Sequence, residues 1–209
     1  TQVLECILPI SFFKTYTYEG QSDCMKLGIH ASVFLDIIKG IHKTDIFHLI
    51  AKNENKMQVQ VDGEESQMAY DITLMSIIDE TMDIPEIDTN IKMTITDDIL
   101  KGWKTQICDR TGESLLFHVQ KDMLQLTSNG TYLNVTSTLC HGQKMTILNC
   151  NEPKDIILSQ RSIATAYRLC DISSKIQYQW TNDAPACFSC VIGRSGTIKM
   201  WFAPEMMDD

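Results

Sequence analysis

Three stretches of helical periodicity, each followed by short alternating segments, constrain this chain more than any other feature. In Ser32–Lys43 the apolar positions are Phe34, Ile37, Ile38 and Ile41. In Asp97–Cys108 they are Ile99, Leu100, Trp103 and Ile107, and in Asp155–Asp171 they are Ile163, Ala166, Tyr167 and Cys170. Spacings of three and four put each set on one helical face and predict that this face is buried. Ser32, the pair Asp97 and Asp98, and Pro153 with Asp155 supply N-terminal cues for the three helices.

Between and after them, Met57–Val61 alternates apolar and polar residues. Leu115–Val119, Met123–Thr127, Tyr132–Thr136, Lys144–Leu148, Ile176–Trp180, Phe188–Ile192 and Thr197–Phe202 are rich in β-branched or aromatic residues, with Gly, Asn or Asp between most of them. Helix then strands, repeated, predicts an α+β fold with helices on one face of antiparallel sheets. Residues 77–90 break the pattern: the stretch is acidic, and Pro85 resists a ladder position. It reads as a connector between an N-terminal domain, 1–76, and a C-terminal domain, 91–209. Met82 and Ile84 give it apolar residues that a pure spacer does not need.

The chain carries 18 basic and 27 acidic residues, a net charge of −9. Phosphate binding needs Lys and Arg, so an even spread of charge argues against nucleic acid. The distribution is uneven. Arg161 and Arg168 are seven residues apart, nearly two helical turns, opposite the apolar face of the third segment. Lys101 and Lys104 lie opposite the apolar face of the second, and Lys39 and Lys43 opposite that of the first. An acidic protein with three helices biased to positive outer faces suits sequence-independent phosphate contact. Nothing resembles a zinc finger or a helix-turn-helix.

The eight cysteines are too irregularly spaced for a disulfide scaffold. Cys187 and Cys190 form the only close pair, with Cys140, His141 and Cys150 as the only nearby complement, so reduced thiols are expected rather than a metal site. No cofactor is expected. A P-loop, a nucleophile elbow, a paired-histidine metal motif and a Gly-rich nucleotide fingerprint are all missing, so no enzyme is expected. No apolar run is long enough to span a membrane, and Thr1–Glu5 has no leader pattern, which reads as an intracellular protein with no membrane partner.

Several motifs carry a family resemblance. They are Leu27-Gly28-Ile29-His30 before the first helix, Met82 with Ile84-Pro85-Glu86, Asn151-Glu152-Pro153, the stretch through Arg161 and Arg168 to Lys175, Asp183-Ala184-Pro185, and Gly196 to Met206 with the acidic end Asp208-Asp209. In this order the chain resembles the proliferating cell nuclear antigen family of DNA sliding clamps. The resemblance implies a DNA clamp fold of two similar domains in a head-to-tail homotrimeric ring, with helices lining the hole. It puts Lys39, Lys101, Lys104, Arg161 and Arg168 on the DNA-facing surface. It puts Met82, Ile84, Pro85, Pro185, Trp201, Ala203, Pro204 and Met206 around a front pocket for short motifs of polymerases, nucleases and ligases. Edge strands near Met57, Val59 and Val61 and near Tyr132, Asn134 and Thr136 are expected to meet between subunits. A clamp loader and a nuclear or viral replication site are further expectations. The family has four inner helices where three are found here, and its first strand, helix and hairpins have no counterpart before Thr1. Asp36 stands where a basic residue is usual. A viral or checkpoint relative acting as monomer, dimer or hetero-oligomer is the alternative.

Overall fold

The structure is a computed structural model; it describes residues 2–20, 25–76, 90–111, 114–150, 152–180 and 184–205. The strands are β1 Gln2–Ile7, β2 Ile46–Asn53, β3 Lys56–Asp62, β4 Gln67–Thr73, β5 Ile91–Thr96, β6 Ser114–Val119, β7 Met123–Asn129, β8 Asn134–Cys140, β9 Met145–Cys150, β10 Lys154–Ser159, β11 Lys175–Trp180, β12 Ala186–Ile192 and β13 Gly196–Phe202. The helices are α1 Ala31–Lys39, α2 Asp97–Trp103 and α3 Gln160–Ala166. A π turn, Lys104–Cys108, continues α2, and a 3-10 turn, Tyr167–Asp171, continues α3.

The chain divides into two compact units. One is Thr17–Ile84; the other joins Thr1–Tyr16 to Pro85–Asp209. The expected N-terminal domain therefore differs at its start. β1 pairs antiparallel with β13, from Gln2 opposite Phe202 to Ile7 opposite Thr197, and so belongs to the larger unit. The expected connector lies almost wholly outside the described residues.

The larger unit holds a six-stranded sheet, β1-β13-β12-β11-β5-β9, and a four-stranded sheet, β10-β6-β7-β8. Inward residues from both sheets, Met93, Phe117, Leu126, Leu158, Tyr178 and Phe188 among them, share one core with Leu100, Trp103, Ile163 and Leu169 of the helical segments. The connections are reciprocal. β5 leads through α2 into β6, crossing from the six-stranded to the four-stranded sheet; β10 leads through α3 into β11, crossing back. β5 pairs with β11 and β10 with β6, both antiparallel.

Two helices differ in extent from the expectation. The stretch expected as helix from Asp155 opens instead as β10. Ile156 and Leu158 are buried while Ile157 is not, a period of two, and β10 pairs along its length with β6. The helix begins after Ser159, whose hydroxyl accepts a hydrogen bond from the Ser162 N–H at 3.2 Å and caps it. The first helix stops at Lys39, so Lys43 falls in the turn before β2 rather than on a helical face. The strand expected from Tyr132 begins two residues later, at Asn134.

The smaller unit has α1 against the sheet β2-β3-β4. Ile37, Met57, Val59, Val61, Ile72 and Leu74 are buried there. Ile38, expected on the buried face of α1, is exposed, together with Val33 and Leu35.

Candidate functional site

α2 and α3 lie side by side and antiparallel. The start of α2 meets the turn after α3, where the Cys170 thiol donates to the Asp97 carbonyl at 3.7 Å. Past the end of α2, the Lys104 ammonium stands 5.4 Å from the centre of the Tyr167 ring. Leu100, Trp103 and Ile107 of one segment and Ile163, Ala166 and Leu169 of the other point into the core. Trp103 meets Phe117 edge to face at 5.7 Å. The opposite side of this helix pair carries Lys101, Lys104, Arg161 and Arg168.

Those four cations are not equivalent. Lys101 is bonded to Asp97 at 2.6 Å and Lys104 to Asp109 at 3.3 Å. Lys144, just before β9, is bonded to Asp98 at 2.6 Å. The Lys101 hydrogen bond holds the Asp97 carboxyl below the usual range, and Asp97 in turn raises Lys101. Asp98 is held low chiefly by Lys144 and next by the Thr96 hydroxyl. Arg161 and Arg168 are exposed and have no ion pair among the described residues. The Asp97–Lys101 pair follows the four-residue spacing of a helix face and was legible in the sequence. The Lys104–Asp109 pair was not. It spans five residues and relies on the π turn, in which the Asp109 N–H bonds the Lys104 carbonyl at 3.0 Å.

In the smaller unit Lys39 is bonded to Asp36 at 3.3 Å, and the exposed apolar Val33, Leu35 and Ile38 share the outer surface of α1. The first helix thus lacks the cationic outer face that the sequence suggested.

Of the expected pocket residues, Met82, Ile84, Pro85 and Met206 lie outside the described residues. Trp201 is buried in β13 between β1 and β12, opposite Val3 on one side and Cys187 on the other; its indole N–H has no hydrogen-bond partner among the described residues. Pro185 is half-buried, and Ala203 and Pro204 are exposed beyond β13. Glu205 ties this segment down: its N–H bonds the Ile157 carbonyl at 2.9 Å and its carboxylate accepts from the Ser114 hydroxyl.

The two expected interface strands differ. β3 is the central strand of its sheet, paired with β2 and β4, and Met57, Val59 and Val61 are buried in the core. Its backbone groups are committed within the unit, so the edges are β2 and β4, not β3. The alternation of Met57–Val61 marked a half-buried strand; it could not tell a central one from an edge. β8 is an edge strand of the four-stranded sheet, with Asn134, Thr136 and Thr138 exposed along it and Tyr132 fully exposed in the preceding turn.

Cys187 and Cys190 are three residues apart on a strand, so their side chains leave opposite faces; Cys190 belongs to the core and Cys187 does not. Burial pushes the Cys187 thiol up to about 12, and Cys108 and Cys170 up to about 11. Among the described residues no group of three or more side chains is placed to hold a metal ion.

No family model matches the chain. It is 21% identical over 192 residues to a protein of Chaetomium thermophilum named proliferating cell nuclear antigen, an alignment covering 88% of this chain and 74% of that protein.

Proposed function

We propose that this chain is the subunit of a DNA sliding clamp. It would encircle duplex DNA without reading sequence and tether polymerase and other replication and repair proteins, with no chemistry of its own. The observation that carries the reading is the helix pair α2 and α3, which is buried on one side and presents Arg161 and Arg168 on the other. The distant likeness to a proliferating cell nuclear antigen over most of the chain supports it, as do the largely antiparallel sheets with few helices.

A closed ring retains DNA by topology, so its inner surface needs only weak, exchangeable phosphate contacts. Three copies meeting head to tail through exposed strand edges, β8 among them, form the ring in this reading. In this reading Pro185, Ala203 and Pro204 belong to the surface that takes short motifs of polymerases, nucleases and ligases. Three pockets per ring add avidity. A clamp loader opens the ring, and the site of action is the nucleus or a viral replication site. The exposed apolar surface of α1, where cations were expected, favours a second reading: a clamp-like factor that assembles as a hetero-oligomer, dimer or monomer.

Light scattering on the purified chain tests the two together. A mass three times the 23.8 kDa of the chain, with retention on circular but not linear DNA after loading, is the expected result. A different stoichiometry with retention intact supports the second reading. Equal loss from circular and linear DNA would sink the clamp.

A further inference from the structure

The face built from α2 and α3 carries its own counter-charges. Asp97 and Asp98 in the first turn of α2, and Asp109 just past its π turn, each hold a lysine at 2.6 to 3.3 Å. From Asp97 to Arg110 the carboxylates of Asp97, Asp98 and Asp109 cancel Lys101, Lys104 and Arg110, a sum of zero. From Gln160 to Asp171, Arg161 and Arg168 against Asp171 leave a charge of +1. We propose that Asp97, Asp98 and Asp109 keep Lys101, Lys144 and Lys104 from DNA phosphates, so that Arg161 and Arg168 alone set the grip of this face. The inference rests on the reading that the face meets duplex DNA.

The physical reason is competition. A phosphate approaching Lys101 must displace a carboxylate bonded at 2.6 Å. That carboxylate then stays within a few ångströms as a like charge and repels the phosphate. Such surface pairs add little to stability, but they remove a cation from the phosphate footprint. Arg161 and Arg168 hold no carboxylate in an ion pair among the described residues, Asp171 included. A footprint of two phosphates releases few counterions, which gives a weak hold with a shallow salt dependence, suited to movement along the duplex.

Anisotropy of a labelled short duplex, titrated with the whole chain over a range of salt, tests this. Each phosphate neutralised contributes about −0.9 to the slope of log affinity against log salt, so the face should contribute about −1.8 in the native chain. In D97N/D98N/D109N three lysines join, the slope steepens by about 2.7 more, and affinity rises. D98N alone frees Lys144 and steepens it by about 0.9, with little disturbance of α2 should the triple variant fold poorly. R161Q/R168Q should abolish the shallow slope in the native background and leave the added slope in the triple variant. Native affinity and slope in both aspartate variants, with binding still lost in R161Q/R168Q, overturns the inference and spares the DNA reading. No binding by any version at the lowest salt overturns both.

Discussion

Ser159 decides where a strand ends and a helix starts. Its hydroxyl serves the Ser162 N–H at the point where β10 becomes α3. Ser159→Ala is expected to cost about 1 kcal/mol, the usual value of an N-cap, read as a lower thermal midpoint. Ser159→Asp should recover most of it. Tyr178 presents the opposite case. Its ring stacks at 4.6 Å on Phe188 in the core, yet its hydroxyl is buried with no hydrogen-bond partner among the described residues. Removing a buried unsatisfied group relieves a desolvation cost, so Tyr178→Phe should raise stability by about 1 kcal/mol in urea unfolding. A loss instead would mean that the hydroxyl has an internal water as partner. The thiols divide by burial. Cys6 and Cys140 are exposed, whereas Cys108, Cys170, Cys187 and Cys190 are buried. Brief alkylation followed by mass analysis should label Cys6 and Cys140 before these four. In the unfolded chain a thiol titrates near 9.0, but Cys108 and Cys170 hold their protons to about 11 and Cys187 to about 12. The folded state then binds more protons than the unfolded state above pH 9, so stability should fall as pH rises from there.

At the scale of elements, the sequence was most legible where periodicity ran against a single core. Ile176–Trp180 alternates in sequence and in burial, and Leu115–Val119 and Met123–Thr127, read as strands, alternate in burial. The helical faces of α2 and α3 were also readable from their apolar spacing, and with them the outward placement of Arg161 and Arg168. Illegible features depended on what lies beside an element. Lys154–Ser159 holds both a helical and a strand pattern over six residues, and pairing with β6 settles it. The π turn makes adjacent residues, Ile107 and Cys108, both buried, which no regular helical pattern announces. Whether a strand is central or an edge is a property of its neighbours, and β3 has β2 on one side and β4 on the other. β8 remains open on one side and carries polar residues outward. If copies of the chain meet there, lysines at Asn134, Thr136 and Thr138 should blunt the edge and reduce the assembled mass. Thermal stability should stay within about 0.5 kcal/mol, as for other surface changes.

At the scale of the molecule, the smaller unit is one continuous stretch, while the larger is made of two pieces of chain. The second piece carries both sheets, both crossovers and the arginines. The first contributes β1, the 3-10 turn Ile10–Phe12 and their contacts: Glu5 with Lys199 at 2.9 Å, Ser11 with Ser195 at 3.1 Å, and Phe12 over Gly193. Gly193 has φ of 58° in the turn between β12 and β13, and a side chain there would run into the Phe12 ring. Gly193→Ala should therefore loosen the first piece while leaving the rest of the core intact. Faster amide exchange confined to Gln2–Ile7 and the facing groups of β13 would show it.

The placement of β1 has a kinetic corollary. Nearly two hundred residues separate Val3 from its partner Trp201, so the entropy of closing so long a loop makes this seam the last to zip. It is equally the first to open, because Leu4 and Ile7 face solvent and offer little resistance. Each opening would strip one flank from Trp201 and let water reach its ring, so indole emission would register the unfastening before any other part of the molecule came apart.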